Sequence, residues 1–168
     1  MSLSHNIPYL DLFQFPPAAL ASKGFYSLNC AFNPHLLMIR IFIADDHVMF
    51  AEGVESLLVG EADFTLVGKA TTAAETLRQV MHSPPDVLLL DINLPDQSGL
   101  DVCKQLRESL PDLKILVLSM LSEESYISAM LGLGAQGYVL KNTGKAELCH
   151  AIRTLSAGKT YFSKEVTD

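Results

Sequence analysis

Asp45 and Asp46 follow the apolar run IRIFIA, and Asp91 closes the run DVLLLD. A third apolar run, KILVL, leads into Ser119, and a fourth, GYVL, leads into Lys141. Three carboxylates, a hydroxyl and an amine at the exits of apolar runs suit a divalent cation and a phosphoryl group. Mg²⁺ is a hard octahedral ion that takes one or two carboxylates and keeps several waters. Asp46 and Asp91 are candidates for direct oxygens and Asp45 for a ligand through water. The backbone carbonyl of Asn93, two residues past Asp91, is a candidate for a further ligand. Two carboxylates ~4 Å apart repel by about 4 kcal/mol at an effective dielectric of ~20, so such a cluster calls for a cation. Asp91 is the candidate nucleophile, because a carboxylate can attack phosphorus to give an acyl phosphate. The three equatorial oxygens of the transferred group must then be neutralised and held in line. The cation, the Lys141 ammonium and the Ser119 hydroxyl are matched to one oxygen each.

Taken singly, each of these residues has a plainer role. An acid at a strand end caps the next helix, a lysine after a strand is solvated, and a lone serine says nothing. Their joint order at four strand ends argues against coincidence. His47 reads as the start of the first helix rather than as a phosphohistidine. The glycines of GLGAQGY read as a helix exit and a tight turn, not as a nucleotide loop, since no strand-to-helix passage frames them.

The elements that must bring these residues together alternate from Met38 onward. Strands are expected at 39–44, 64–69, 86–91, 113–118 and 137–140. Helices are expected at 48–59, 73–82, 99–109, 123–132 and 144–156. The inward faces read as Val48, Ala51, Val54 and Leu58; Leu77, Val80 and Met81; Leu100, Cys103 and Leu106; Leu148, Cys149, Ile152 and Leu155. Thr72 with Glu75 forms a capping-box signature, Ser122 is a candidate cap, and Gly158 is a helix stop. Short, continuously apolar strands between amphipathic helices demand a parallel sheet covered on both faces. The fold class is therefore α/β: a doubly wound five-stranded parallel sheet, (βα)5. Right-handed crossovers favour the flavodoxin-like strand order 2-1-3-4-5. That order puts the crevice between strands 1 and 3, which carry Asp45, Asp46 and Asp91.

Bulk properties bound the rest. The chain has 168 residues, 49% hydrophobic and 18% charged, with a formal net charge of -7. It is long enough for one domain with its own core, and its acidity makes it a poor partner for a phosphate backbone. The three cysteines, Cys30, Cys103 and Cys149, show no C-x-x-C spacing and read as free thiols in a reducing cytoplasm. No stretch approaches the ~18 apolar residues of a membrane span, and the N-terminus lacks the pattern of a secretory signal. Residues 1–37 have neither helical nor strand period and are expected to be a poorly ordered or loosely attached extension.

The segments IADDH, DINLPDQSGL, ILVLS and GAQGYVLK closely resemble the receiver domain of bacterial two-component response regulators. The resemblance covers about residues 38–157, in order and at family spacing. It implies that Asp91 is the phosphoacceptor, Asp45 and Asp46 the acidic metal pair and Ser119 the conserved hydroxyl. It likewise implies that Tyr138 is the aromatic switch and Lys141 the invariant lysine. The implied chemistry is phosphoryl transfer from a sensor histidine kinase to Asp91 with Mg²⁺, without turnover of a free substrate. The implied output surface is helix 4, strand 5 and helix 5, with homodimerisation through it. The tail ELCHAIRTLSAGKTYFSKEV resembles receivers that precede a LuxR/NarL-type helix-turn-helix. On that resemblance residues 158–168 are a linker, and DNA is contacted only through a C-terminal domain that this chain lacks. The chain is then expected to be cut from a longer protein rather than a stand-alone receiver. One departure stands out. Many receivers place a proline after the lysine through a cis bond, whereas Asn142 stands here, and a cis bond before a non-proline costs ~2.5–4 kcal/mol.

Two other functions fit the same architecture. A flavodoxin-like small-molecule carrier would need a Gly/Ser/Thr-rich phosphate loop after strand 1, where the chain has ADDHVMF. A hydrolase with Asp91 as nucleophile would need a second acid two residues on, where the chain has Asn93.

Overall fold

The computed structural model describes residues 38–120 and 124–164. The expected extension at 1–37, Cys30 and the candidate cap Ser122 lie outside them. Five parallel strands alternate with five helices. The elements are β1 (Ile39–Ala44), α1 (Val48–Leu58), β2 (Phe64–Ala70), α2 (Ala73–His82), β3 (Val87–Asp91), α3 (Gly99–Ser109), β4 (Lys114–Ser119), α4 (Glu124–Gly132), β5 (Gly137–Leu140) and α5 (Lys145–Ser156). A two-residue strand, β6 (Tyr161–Phe162), follows. The sheet order is β2-β1-β3-β4-β5-β6, all parallel, so the expected doubly wound order stands with one strand added.

The period-2 alternation of the strands makes two cores. On one face Phe42, Leu88, Leu90, Val117 and Tyr138 meet Val80 of α2, Cys103 and Leu106 of α3, and Met130 of α4. On the other, Ile43, Leu89, Leu116, Leu118 and Val139 meet Ala51, Val54 and Leu58 of α1 and Leu148, Ile152 and Leu155 of α5. Central strands buried on both faces need continuous apolar runs, which is why VLLL reads as it does.

Three details differ from the sequence reading. Val48 and Met81 are 55% and 43% exposed, not inward. Val48 opens α1, and Met81 lies next to Val80, which takes the buried position. The capping box at α2 is half formed. The Thr72 hydroxyl oxygen accepts from the Glu75 amide, but the Glu75 carboxylate accepts from Gln79 instead of reaching back. Within the stretch expected to be a linker, Tyr161–Phe162 pair with β5 as a strand. The Tyr161 amide donates to the Gln136 carbonyl at 3.0 Å, the Ser163 amide donates to the Tyr138 carbonyl at 3.2 Å, and Ser163 is fully buried. A strand this short has no periodic signature, and only the open edge of β5 makes it a strand. Gly158, with φ +77°, ends α5 and turns the chain toward that edge.

Candidate functional site

The strand register builds the site. β1 and β3 pair Ala44 with Leu90, so the next residues, Asp45 and Asp91, emerge side by side. β3 and β4 pair Asp91 with Leu118, and β4 and β5 pair Ser119 with Leu140. Lys141 therefore leaves β5 a step beyond the acids, and its long side chain returns over them. Lys141 Nζ lies 2.6 Å from Asp45 Oδ2 and donates to Asp91 Oδ2 at 2.7 Å. The three side chains are 5%, 1% and 3% exposed. The Phe50 ring of α1 lies 4.8 Å from the ammonium and walls the lysine on that side.

Local turns hold the acids. Asp45 Oδ1 accepts from the His47 amide at 2.9 Å, and Asp91 Oδ1 from the Asn93 amide at 3.2 Å. The loop after β3 is pinned at both ends. The Gly99 amide donates to the Ile92 carbonyl at 2.7 Å, and a side chain at Gly99 would press on the Asp91 carbonyl. Asp96 accepts from the first amides of α2, Ala73 and Ala74, at 2.7 and 2.9 Å. Those bonds hold its carboxyl below the usual range.

Burial, the dominant influence, raises the Asp91 carboxyl above its usual range, and the Lys141 hydrogen bond and charge work against that rise. Three carboxylates stand against the one Lys141 ammonium in this pocket. Asp45, Asp46 and Asp91 approach closely enough that one atom from each, with one from His47, falls within a 4.8 Å spread. Two buried carboxylate oxygens, Asp45 Oδ2 and Asp46 Oδ1, accept no hydrogen bond, although each has a basic nitrogen at ion-pair distance. Clustered hard oxygens with unfilled acceptor capacity fit a Mg²⁺ ion.

Of the residues singled out from sequence, Asp45, Asp46, Asp91 and Lys141 meet in one pocket. The Asn93 amide joins it through Asp91. Ser119 ends β4, fully buried, and its carbonyl accepts from the Lys141 amide at 2.8 Å. Tyr138 is 1% exposed and sits in the core with residues of α3 and α4, two strand positions before the Ser119–Leu140 pair. The Lys141–Asn142 peptide is trans, so the site forms without a cis bond. Sequence reasoning gave His47 only a helix start. It does precede α1, but its Nδ1 also lies 2.8 Å from Asp46 Oδ1 and 3.4 Å from Asp45 Oδ1. Its place directly after the acid pair was the available signal. Phe50, one helical turn on, carried none.

Residues 41–153 match the family model of the response regulator receiver domain. This chain belongs to that family. Among relatives, the receiver resembles the oxygen regulatory protein NreC of Staphylococcus epidermidis, 38% identical over 130 residues. That alignment covers 77% of this chain and 60% of NreC, so the chain spans well under two thirds of the relative's length. Among solved structures, it superposes on a LuxR-family two-component response regulator from Aurantimonas sp. SI85-9A1. The TM-score is 0.74 at 28% identity, over 77% of this chain and 93% of that one. The RcsB response regulator of Salmonella typhimurium gives TM-score 0.73 at 26% identity, over 78% of this chain and 66% of that one. RcsB is also known as dimers bound to DNA. The small-molecule carrier finds no support beside these matches, and the first βα turn of the receiver holds Asp45, Asp46 and His47 where a carrier needs a phosphate loop. Among the described residues no helix is long and apolar enough to cross a membrane.

Proposed function

We propose that Asp91 is the phosphoacceptor of a two-component signalling switch. The observation that carries this reading is the Lys141 ammonium, which spans two buried carboxylates at the exit of β3. In the step proposed, an Asp91 carboxylate oxygen attacks phosphorus on a sensor kinase's phosphohistidine. The O–P bond forms as the N–P bond breaks, and the electron pair returns to the imidazole. Asp45 and Asp46, with Asp91 and the Asn93 carbonyl, would hold Mg²⁺, which supplies charge neutralisation for the phosphoryl oxygens. Lys141 keeps the Asp91 carboxylate oriented and meets a second phosphoryl oxygen. Ser119 would meet the third by moving its hydroxyl toward the pocket.

The chain turns over no free substrate in this reading, and its product is a conformational bias. Ser119 and Tyr138 lie on the same face of the sheet on adjacent strands, which supports Tyr138 as the ring that registers the change. The output passes to the surface of α4, β5 and α5, and homodimerisation follows there. Residues 158–164 then lead toward a C-terminal helix-turn-helix that binds DNA and controls transcription, as the LuxR-family and RcsB likenesses support. Cys103 and Cys149, buried free thiols pushed up by burial, suit the reducing cytoplasm.

The test is incubation with Mg²⁺ and acetyl phosphate, read by intact mass. A single phosphoryl adduct is expected in the wild type and none in Asp91→Asn. An adduct that persists in Asp91→Asn would refute the assignment.

A further inference from the structure

The His47 side chain has no part in the phosphoryl-transfer reading. Its ring is 66% exposed, yet its Nδ1 is turned to the acids: 2.8 Å from Asp46 Oδ1, 3.4 Å from Asp45 Oδ1 and 3.9 Å from Asp91 Oδ2. Asp46 Oδ1 is buried and, although His47 Nδ1 stands at ion-pair distance, the two are not aligned as donor and acceptor of a hydrogen bond. Neighbouring ligands on one small cation at ~2.0–2.2 Å stand about 3.0–3.5 Å apart. The two shorter distances are close to that spacing, and the third lies within a small side-chain adjustment of it. Asp45 adds a side chain only 1% exposed, with Oδ1 3.4 Å from His47 Nδ1 and Oδ2 2.6 Å from Lys141 Nζ.

We propose that His47 Nδ1 is a fourth donor of this pocket, and that with Asp45, Asp46 and Asp91 it binds a borderline divalent transition metal, represented by Zn²⁺, in the place of Mg²⁺. The chemistry follows from the donor set. Mg²⁺ is content with carboxylate and water and gains little from an imidazole, whereas Zn²⁺ and its neighbours favour mixed nitrogen and oxygen ligands. The exposed ring sits at the mouth, so it can join an ion that has entered without rearranging the core. A pocket filled this way holds the acids that phosphoryl transfer needs, so Zn²⁺ acts as an inhibitor that competes with Mg²⁺. The inference rests on the reading of the acids as a divalent-cation site.

The experiment is calorimetric titration of the full chain with Zn²⁺ alone and with Mg²⁺ alone, on wild type, His47→Ala and Asp46→Asn. The wild type is expected to bind Zn²⁺ at least about a hundredfold more tightly than Mg²⁺. His47→Ala is expected to lose roughly tenfold or more in Zn²⁺ affinity while its Mg²⁺ affinity stays within about twofold. Asp46→Asn should weaken both. A Co²⁺ complex of the wild type should show a visible absorption spectrum that changes in His47→Ala. Equal Zn²⁺ affinity in wild type and His47→Ala, with Mg²⁺ binding intact, overturns the inference and leaves the cation site standing. Absence of Mg²⁺ binding in the wild type overturns the cation site itself. Zn²⁺ uptake unchanged in both variants places the ion elsewhere on the chain and also overturns the inference.

Discussion

Lys141→Met tests the central electrostatic argument. Methionine keeps the length and apolar stem of lysine and removes the ammonium. In the wild type that ammonium stands 2.6 and 2.7 Å from two carboxylate oxygens on side chains 1% and 3% exposed. Each contact has a gross attraction of about 6 kcal/mol at an effective dielectric of ~20. Most of it is offset by the desolvation of the three groups, so the gross figure does not survive as net stability. What decides the outcome is that Met leaves two buried like charges without their cation, a change that costs about 3–5 kcal/mol. Urea unfolding at pH 7 without divalent ions measures it.

The pH dependence gives a second reading. Burial raises the Asp91 carboxyl above its ordinary value of 3.8, so the folded state keeps its proton to higher pH than the unfolded chain does. The associated stability is therefore greatest below 3.8 and falls as pH rises through the raised value. Lys141 opposes the rise, so its loss extends that fall to higher pH. The deficit of Lys141→Met must then shrink toward pH 4, and Mg²⁺ at ~100 times its Kd should return about 2.7 kcal/mol to any variant that still binds it. A deficit under about 1 kcal/mol at pH 7, or one that does not change with pH, would refute the account of the pocket as two buried anions held by one amine.

Other expectations follow from the same geometry. Asp91→Asn removes the charge that burial disfavours, so without metal it should be at least as stable as wild type at pH 7 and lose any advantage below pH 3.8, which paired denaturation curves would show. In Gly99→Ala the new methyl would run into the Asp91 carbonyl oxygen and sit 2.9 Å from Ile92 Cα, both backbone. It should cost about 1–3 kcal/mol in thermal unfolding and weaken Mg²⁺ binding by moving Asp91. Arg153 of α5 donates to Asp63 at 2.7 Å and to Glu61 at 2.7 Å, and Lys145 pairs with Glu61 at 2.9 Å. These bonds hold both carboxyls below their usual range, so their contribution is present above it and is lost as pH falls through the lowered values. Arg153→Ala should therefore lower stability at pH 7, less so in 1 M salt, and match wild type once both acids are protonated.

The sequence carried most of the architecture because its strongest signal, apolar runs alternating with amphipathic helices, is local. The runs around Leu89 and Val117 can only be central strands, and the acids at their ends then meet by topology. What was not legible depends on neighbours distant in sequence. Val48 fits the helical stripe of α1 and is still exposed, because a stripe does not say where the sheet beneath it ends. Tyr161 and Phe162 are a strand only because β5 offers an unpaired edge. His47 was ambiguous for a different reason: the same residue can begin a helix and face the acids, and only the distances separate an idle neighbour from a donor.

The two-residue β6 has a practical consequence for anyone who trims this protein. A fragment ended at Ala157, where the helical pattern stops, would leave the Gln136 and Tyr138 carbonyls, now bonded by Tyr161 and Ser163, open along an apolar margin. Bare margins of that kind recruit other chains. Self-association seen in such a fragment would then report the cut and not the signal, and a dimer attributed to phosphorylation is meaningful only when residues through Ser163 are kept.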